Sequence, residues 1–291
     1  MNRTDLAWRA GLAAAQVIRE QGIVALPVDP VAVAGAVGIE VRPMPAETGG
    51  VSGMLLRAGN TFGIAYATHI ESQGFRNFSI AHELGHYFLE GHIDAVLATG
   101  DRHESHAGFG SDDRYELEAD HFAASLLMPE SLFAMAISEA GQGLAAIEQL
   151  AARCVTSLTA TAIRYAQCTG DVVAVVVSAG RRVKYCFMSD ALQELAGNNR
   201  ISKNDLLPPG TVTAEFNKDP DRVRRAERTA GTSDLQDWIG GPYGVELAEE
   251  VVGLGGYGKT LTVLMATSAV DPDELQDDED LIESWRPRFR R

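Results

Sequence analysis

Apolar positions recur at helical spacing over residues 5–21, and the run stops at Gly22. Asp29-Pro30 then sets an N-cap residue before a proline at the first helical position, which predicts a short helix over 30–37. A strand is expected at Ile39–Arg42. Two β-rich runs, VSGMLLRAG and TFGIAYAT, flank Gly59-Asn60 and read as a hairpin. The run FSIAHELGHYFLEGH that follows places Phe78, Ile80, Ala81, Leu84, Phe88 and Leu89 on an apolar face, so it predicts an amphipathic helix ending near Glu90. Its start is expected between Phe75 and Phe78.

Residues 91–113 lose this periodicity and are rich in His, Gly, Asp and Ser, which predicts a long surface loop. A second strong helix, RYELEADHFAASLLMP, is stopped by Pro129. Further helices are expected over 130–140 and 144–166. Beyond Gly170 the texture changes: DVVAVVVSAGRRVKYCFMS reads as strand, turn and strand, and KTLTVLMATSA as another strand. The expected fold class is α+β. One domain is expected over 1–168, with a helix-turn-helix-like segment at 147–168, followed by a mixed α/β region over 169–270 that could be sensory. Residues 271–291 are a block of charge, which predicts a disordered tail. No internal repeat is visible.

The formal charge of -15 over 291 residues argues against a protein built to grip nucleic acid, which needs a basic footprint. RVRRAER at 222–228 is the one basic cluster, and it reads equally well as a solvated helix face. Cys154, Cys168 and Cys186 match neither a disulfide framework nor a CxxC metal site. The N-terminus lacks the unbroken apolar core of a signal peptide, and no stretch reaches the ~20 apolar residues needed to span a bilayer. A reduced, soluble, cytoplasmic protein is expected, with no membrane partner.

Residues 82–86 read His-Glu-Leu-Gly-His. Imidazoles at i and i+4 leave a helix on one face, close enough to hold one ion, and this is the metallohydrolase pattern HExxH. A catalytic zinc takes three protein ligands and keeps one position open. The third is sought on the second helix, where Glu116 and Asp120 share a face. Glu116 is favoured as ligand over its rival Glu118, and Asp120 is placed to accept a hydrogen bond from the free nitrogen of a liganding histidine. Glu83 would act as general base. Gly85, having no Cβ, leaves room for another segment to approach. Zn2+, or another divalent metal such as Mn2+, is the expected cofactor.

Other features carry competing readings. His92, His103 or His106, or Tyr115 or Tyr165, could stabilise an oxyanion, whereas loop histidines are usually just solvated. His121 is expected to face away from the site. The strand TFGIAYAT could accept an extended peptide at a sheet edge, or simply belong to the core. IEQLAARCVTSLTATAIRYAQC, with Ser157 to Arg164 in the place of a recognition helix, could bind DNA, although a helical hairpin packed under the core is preferred. GLGGYGKT at 253–260 matches the P-loop letters but runs into a strand, not a helix, so nucleotide binding is not expected.

The segments FRNFSIAHELGHYFLEGH and ELEADHFAASLLMP, with the lead-in GIVALPVDPVAVAGAVGIEV, resemble the ImmA/IrrE family of metallopeptidases over about residues 10–165. The resemblance implies a zincin-like α+β fold and a cytoplasmic endopeptidase whose substrates are helix-turn-helix repressors, with roles in transcription regulation and stress response. Carried over, His82, His86 and Glu116 match the metal ligands and Glu83 the base. The family's frequent N-terminal helix-turn-helix domain is not expected, because the pattern begins almost at Met1. The substrate would then be a separate repressor, and direct DNA binding is not expected. The alternative class is a DNA-associated transcriptional regulator with a vestigial or structural metal site.

Overall fold

The computed structural model describes residues 3–44, 50–69, 72–106, 113–242 and 244–267. The acidic tail from 271, expected to be disordered, lies outside the described residues. The chain divides into two compact units, one of Met1–Gly141 with Ala146–Arg164 and one of Gln142–Ala145 with Tyr165 onward. The division falls four residues before the expected limit at 168, because Tyr165 turns its hydroxyl to Asp171 Oδ2 at 3.2 Å.

In the first unit, α1 (Arg3–Glu20) and α2 (Pro30–Ala36) precede a mixed sheet. Asp29 caps α2 through its carboxylate and the Val31 amide, with Pro30 in the first turn, as the dipeptide predicts. The strands β1 (Glu40–Pro43), β2 (Val51–Ala58), β3 (Thr61–Tyr66) and β4 (Arg102–His106) lie in the order β1-β3-β2-β4. The Gly59-Asn60 hairpin forms, joining β2 and β3 antiparallel from Ala58↔Thr61 onward. The expected long loop over 91–113 is only partly what forms. Residues 91–113 hold a short helix α4 (His92–Val96) and the strand β4, which carries little apolar patterning because it is an edge strand. TFGIAYAT contains β3, hydrogen-bonded on both sides, which agrees with its core reading, and the sheet edges are β1 and β4.

The helix α3 (Gln73–Phe88) starts slightly earlier than expected because Ser72 caps it through the Phe75 amide. Helix α5 (Arg114–Leu127) follows, capped by Asp113 through Tyr115. One core joins Ala10, Ala14 and Val17 of α1, Leu55 and Ile64 of the sheet, Ile80 and Leu84 of α3, and Phe122, Leu126 and Leu127 of α5. Burying each of these large side chains stabilises the unit by roughly 1.5–3 kcal/mol. Helices α6 (Glu130–Ala140), α7 (Gly143–Cys154) and α8 (Leu158–Cys168) complete the helical part.

The helix-turn-helix-like segment forms α7 and α8, and its contacts are those of a packed hairpin. Asn77 of α3 donates to the Val155 carbonyl at 3.2 Å, and Gly74 lets the backbone of Thr156 and Ser157 approach so closely that a Cβ would lie 2.8 Å from Thr156 C. Arg164, the one basic residue of the supposed recognition helix, donates to the Met128 carbonyl at 3.1 Å, and Arg153 pairs with Glu139.

The second unit is built on an antiparallel sheet of β5 (Val173–Ala179), β6 (Arg182–Met188), β7 (Arg228–Asp234), β8 (Glu246–Gly253) and β9 (Thr260–Ala266), in the order β6-β5-β9-β8-β7. Short helices α9 (Asp190–Ala196), α10 (Val212–Phe216), α11 (Pro220–Arg224) and α12 (Leu235–Trp238) accompany it. Leu192, Leu235, Trp238, Leu247 and Leu264 centre its core. GLGGYGKT is the connection between β8 and its antiparallel neighbour β9, which rules out the strand-to-helix setting of a P-loop. Within 222–228, Arg222 and Arg225 pair with Glu227, and Arg224 pairs with Asp221. All three cysteines are free thiols.

Gly85 is where α3 meets α5: a Cβ there would lie 3.0 Å from Ala119 Cα and 3.2 Å from its carbonyl oxygen. Helix propensity favours Gly85→Ala by about 1 kcal/mol, but backbone on both sides cannot yield, and overpacking costs about 1–3 kcal/mol. The expected outcome is a net loss of stability, read as a lower denaturant midpoint. An unchanged or raised midpoint would show that the two helices are free to part.

Candidate metal centre

His82 and His86, one turn apart on α3, turn their Nε2 atoms toward each other at 3.1 Å. Glu116, in the first turn of α5, completes the group: Oε2 lies 3.3 Å from His82 Nε2 and Oε1 lies 3.4 Å from His86 Nε2. Their ligand atoms all lie within 4.8 Å of one another, and this is the one such group among the described residues. Metal–nitrogen and metal–oxygen bonds of about 2.0–2.1 Å set at tetrahedral angles would separate neighbouring ligand atoms by about 3.3 Å. The two ring nitrogens lie near that spacing from each other, and each lies near it from one Glu116 oxygen, Oε2 for His82 and Oε1 for His86, so the residues present fit a zinc-sized ion held by three side chains.

Asp120, one turn beyond Glu116, has Oδ1 2.9 Å from His82 Nδ1. The rival Glu118 turns the other way. It is fully buried, with Oε2 2.7 Å from His92 Nε2 and Oε1 3.3 Å from Arg9 Nη1. Among the histidines weighed for the loop, His92 is buried behind the site, His103 lies at it, and His106 is exposed. His103 Nε2 approaches Glu116 Oε1 to 3.0 Å from the edge strand β4. Tyr115 packs its ring edge-on against His92 with centroids 5.0 Å apart, and Tyr165 belongs to the second unit.

Glu83 follows His82 on the helix and is wholly buried, and neither of its carboxylate oxygens has a hydrogen-bond partner among the described residues. It lies over the sheet at Gly53, where a Cβ would come within 2.5 Å of Glu83 Oε1. Gly53 sits at a β-bulge, opposite Ser105 of β4, and bulges next to a site re-aim what lies above them. The Ser105 hydroxyl is equally buried and equally without a partner. Sequence reasoning missed both Gly53 and Ser105. A glycine within an otherwise apolar strand, Val51-Ser52-Gly53-Met54, is the only signal that could have found the bulge.

Burial works against charge throughout this group, and the partners decide the outcome. His82 is pulled down by burial, yet hydrogen bonds to Asp120 and Glu116 and the charge of Glu83 raise it to about 10. Burial lowers His86 to about 4 in spite of Glu116. For Glu116, burial pulls upward, but His103, His82 and His86 hold it far below the ordinary carboxylate range. Glu83 is pushed up by burial to about 7, against the charge of His82 and the neighbouring Ser105 hydroxyl.

A metal-free His82 that keeps its proton up to about pH 10 must surrender it to become a ligand. Apparent metal affinity should therefore rise with pH throughout the range below about 10, by close to tenfold per unit, levelling off above it. Chelator competition at several pH values measures this. An affinity flat between pH 7 and 9 would contradict the proton-bearing His82.

Residues 34–165 match the family described as the IrrE N-terminal-like domain, Peptidase_M78. No curated protein sequence matches the chain. Among solved structures, a Mycobacterium tuberculosis transcriptional regulator is similar in fold, at 16% identity and a TM-score of 0.56, covering 91% of this chain and 81% of that one. The paired histidines of α3 and the carboxylate of α5 all fall within the matched segment, so the site lies in a domain similar to the IrrE N-terminal-like, Peptidase_M78 type.

Proposed function

We propose that this chain is a metal-dependent endopeptidase that hydrolyses a peptide bond in a separate helix-turn-helix repressor. The observation that carries the reading is Glu83: a buried carboxylate without a partner, held beside three side chains spaced for one ion. The charge of His82 offsets only part of the cost of burying this group, and a base awaiting a water and a substrate amide explains its retention. In the proposal His82, His86 and Glu116 hold zinc, or another divalent ion such as manganese. Bound there, the ion would polarise the scissile carbonyl and acidify a water.

Glu83 takes the proton from the attacking water and passes it to the departing amide nitrogen. An acidity near 7 suits both halves of that task. Asp120 keeps a hydrogen on His82 Nδ1, so that Nε2 points to the ion. His103, on the accessible side of the group, donates to the carbonyl oxygen as it gains charge. The extended substrate adds as a strand along β4, the edge that carries His103. The choice of a repressor as substrate follows from the family resemblance of the two helical motifs. The proposed setting is the cytoplasm, where three unpaired thiols stay reduced. Among the described residues no single helix is long and apolar enough to cross a membrane, and the one bent pair that passes by composition is α5 with α6. Much of α5 is buried.

Glu83→Gln should keep metal affinity within a few-fold and slow repressor cleavage by about 10²–10⁴-fold. Cleavage at the wild-type rate would end the hydrolytic reading. Gly53→Ala tests the same base from the sheet side. Its Cβ displaces the far end of a flexible side chain, so the fold and metal content should survive. A misplacement of about 1 Å nonetheless costs about 10²-fold in rate. Full activity in that variant would show that Glu83 does not work from its position over the bulge.

A further inference from the structure

We infer that Glu118 and His92 form a hydrogen-bonded relay that fixes the tautomer and the orientation of His86, leaving its Nε2 lone pair bare for the ion. The inference rests on the proposed metal site and assigns two positioning residues to it.

The logic runs inward from the carboxylate. Glu118 on α5 is fully buried and is paired with Arg9 of α1 at 3.3 Å and, more loosely, with Arg114 at 3.8 Å. Between two guanidinium groups it is an anion, and a carboxylate anion can only accept. The 2.7 Å contact from its Oε2 to His92 Nε2 therefore puts the hydrogen on the His92 nitrogen. A neutral imidazole carries one N–H, so His92 Nδ1 is bare and can only accept. That atom lies 3.2 Å from His86 Nδ1, which must donate. His86 then has no hydrogen left on Nε2, the atom 3.1 Å from His82 Nε2 and 3.4 Å from Glu116 Oε1.

Burial makes the sequence of donors binding. His86, His92 and Glu118 are all at 0% exposure, so solvent offers no substitute partner for any of them. In a neutral ring the opposite arrangement, with hydrogen on His92 Nδ1, would leave the Glu118 anion facing a bare nitrogen lone pair, and a ring with both hydrogens would add a third cation to Arg9 and Arg114 around one buried carboxylate. The two histidines of α3 are thus oriented differently. His82 meets its carboxylate, Asp120, directly, whereas His86 reaches Glu118 through an inserted ring. Four elements (α1, α3, α4 and α5) meet in the second arrangement. It also accounts for α4, a five-residue helix whose buried residue is His92.

The test uses the full chain, metal-free and labelled with ¹⁵N-histidine, in which long-range ¹H–¹⁵N spectra report the hydrogen on each ring. The expected result is His86 carrying hydrogen on Nδ1 with Nε2 bare, and His92 carrying hydrogen on Nε2. His86 with hydrogen on Nε2 overturns the inference. His92→Phe should weaken zinc affinity by about 10–100-fold in chelator competition while circular dichroism is unchanged. Glu118→Gln keeps the shape, removes the anion and should shift affinity in the same direction by less. Folded variants that both bind zinc as the wild type does would also overturn it. A wild-type protein that binds no zinc would instead sink the proposed function, and the ring tautomers of the same metal-free sample would still decide the relay.

Discussion

Everything at the candidate centre depends on how closely two helices can approach. The imidazoles of His82 and His86 are short side chains, and a carboxylate from another helix reaches them only if the two backbones nearly touch. Gly85 and Ala119 permit that contact, with the virtual Cβ of one 3.0 Å from the Cα of the other. A bulkier pair would hold Glu116 away, and the histidines would be left as two buried polar groups without a task. The small residues Ala10, Ala14 and Ala123 do similar work in the shared core, where α1 joins α5 and α3.

Two buried glutamates on neighbouring helices show how surroundings decide what a carboxylate is for. Glu118 and Glu83 are both at 0% exposure. Glu118 is surrounded by Arg9, Arg114 and His92, so its charge is compensated and it serves as a fixed anchor. Glu83 has no hydrogen bond of ordinary geometry among the described residues and lies over a glycine and the Ser105 hydroxyl, so burial pushes its acidity toward neutrality. Burial alone disfavours charge on any carboxylate. The difference lies in which cations the fold brings within reach.

The helical motifs were readable because each announces itself locally: capping residues, apolar periodicity and a stop at Pro129. The interval 91–113 was not. Its strand β4 is an edge, so half its hydrogen bonds and much of its surface face outward, and alternation is lost. His92 looked like one more loop histidine, because the sequence gives no sign that a single turn of helix folds it in behind His86. The hairpin α7–α8 carries the spacing of a DNA reader, yet Arg164 turns its Nε–H to the Met128 carbonyl within its own unit. Spacing specifies a helical hairpin, and only packing says which face is left open. In the second unit, the P-loop letters failed for the same kind of reason, since a glycine run in a β-hairpin has no helix terminus to offer a phosphate.

The sequence by itself determined the groups that one helical turn can relate: His82 with His86, and Glu116 with Asp120, because the rise and pitch of an α-helix bring residues four apart onto one face. Tertiary structure alone decided which of two nearby glutamates turns to those rings, that Gly53 at a bulge and Ser105 on an edge strand lie beneath Glu83, and that His92 stands between His86 and Glu118. Those relations cross between separate elements, and no local periodicity encodes the distance between two backbones.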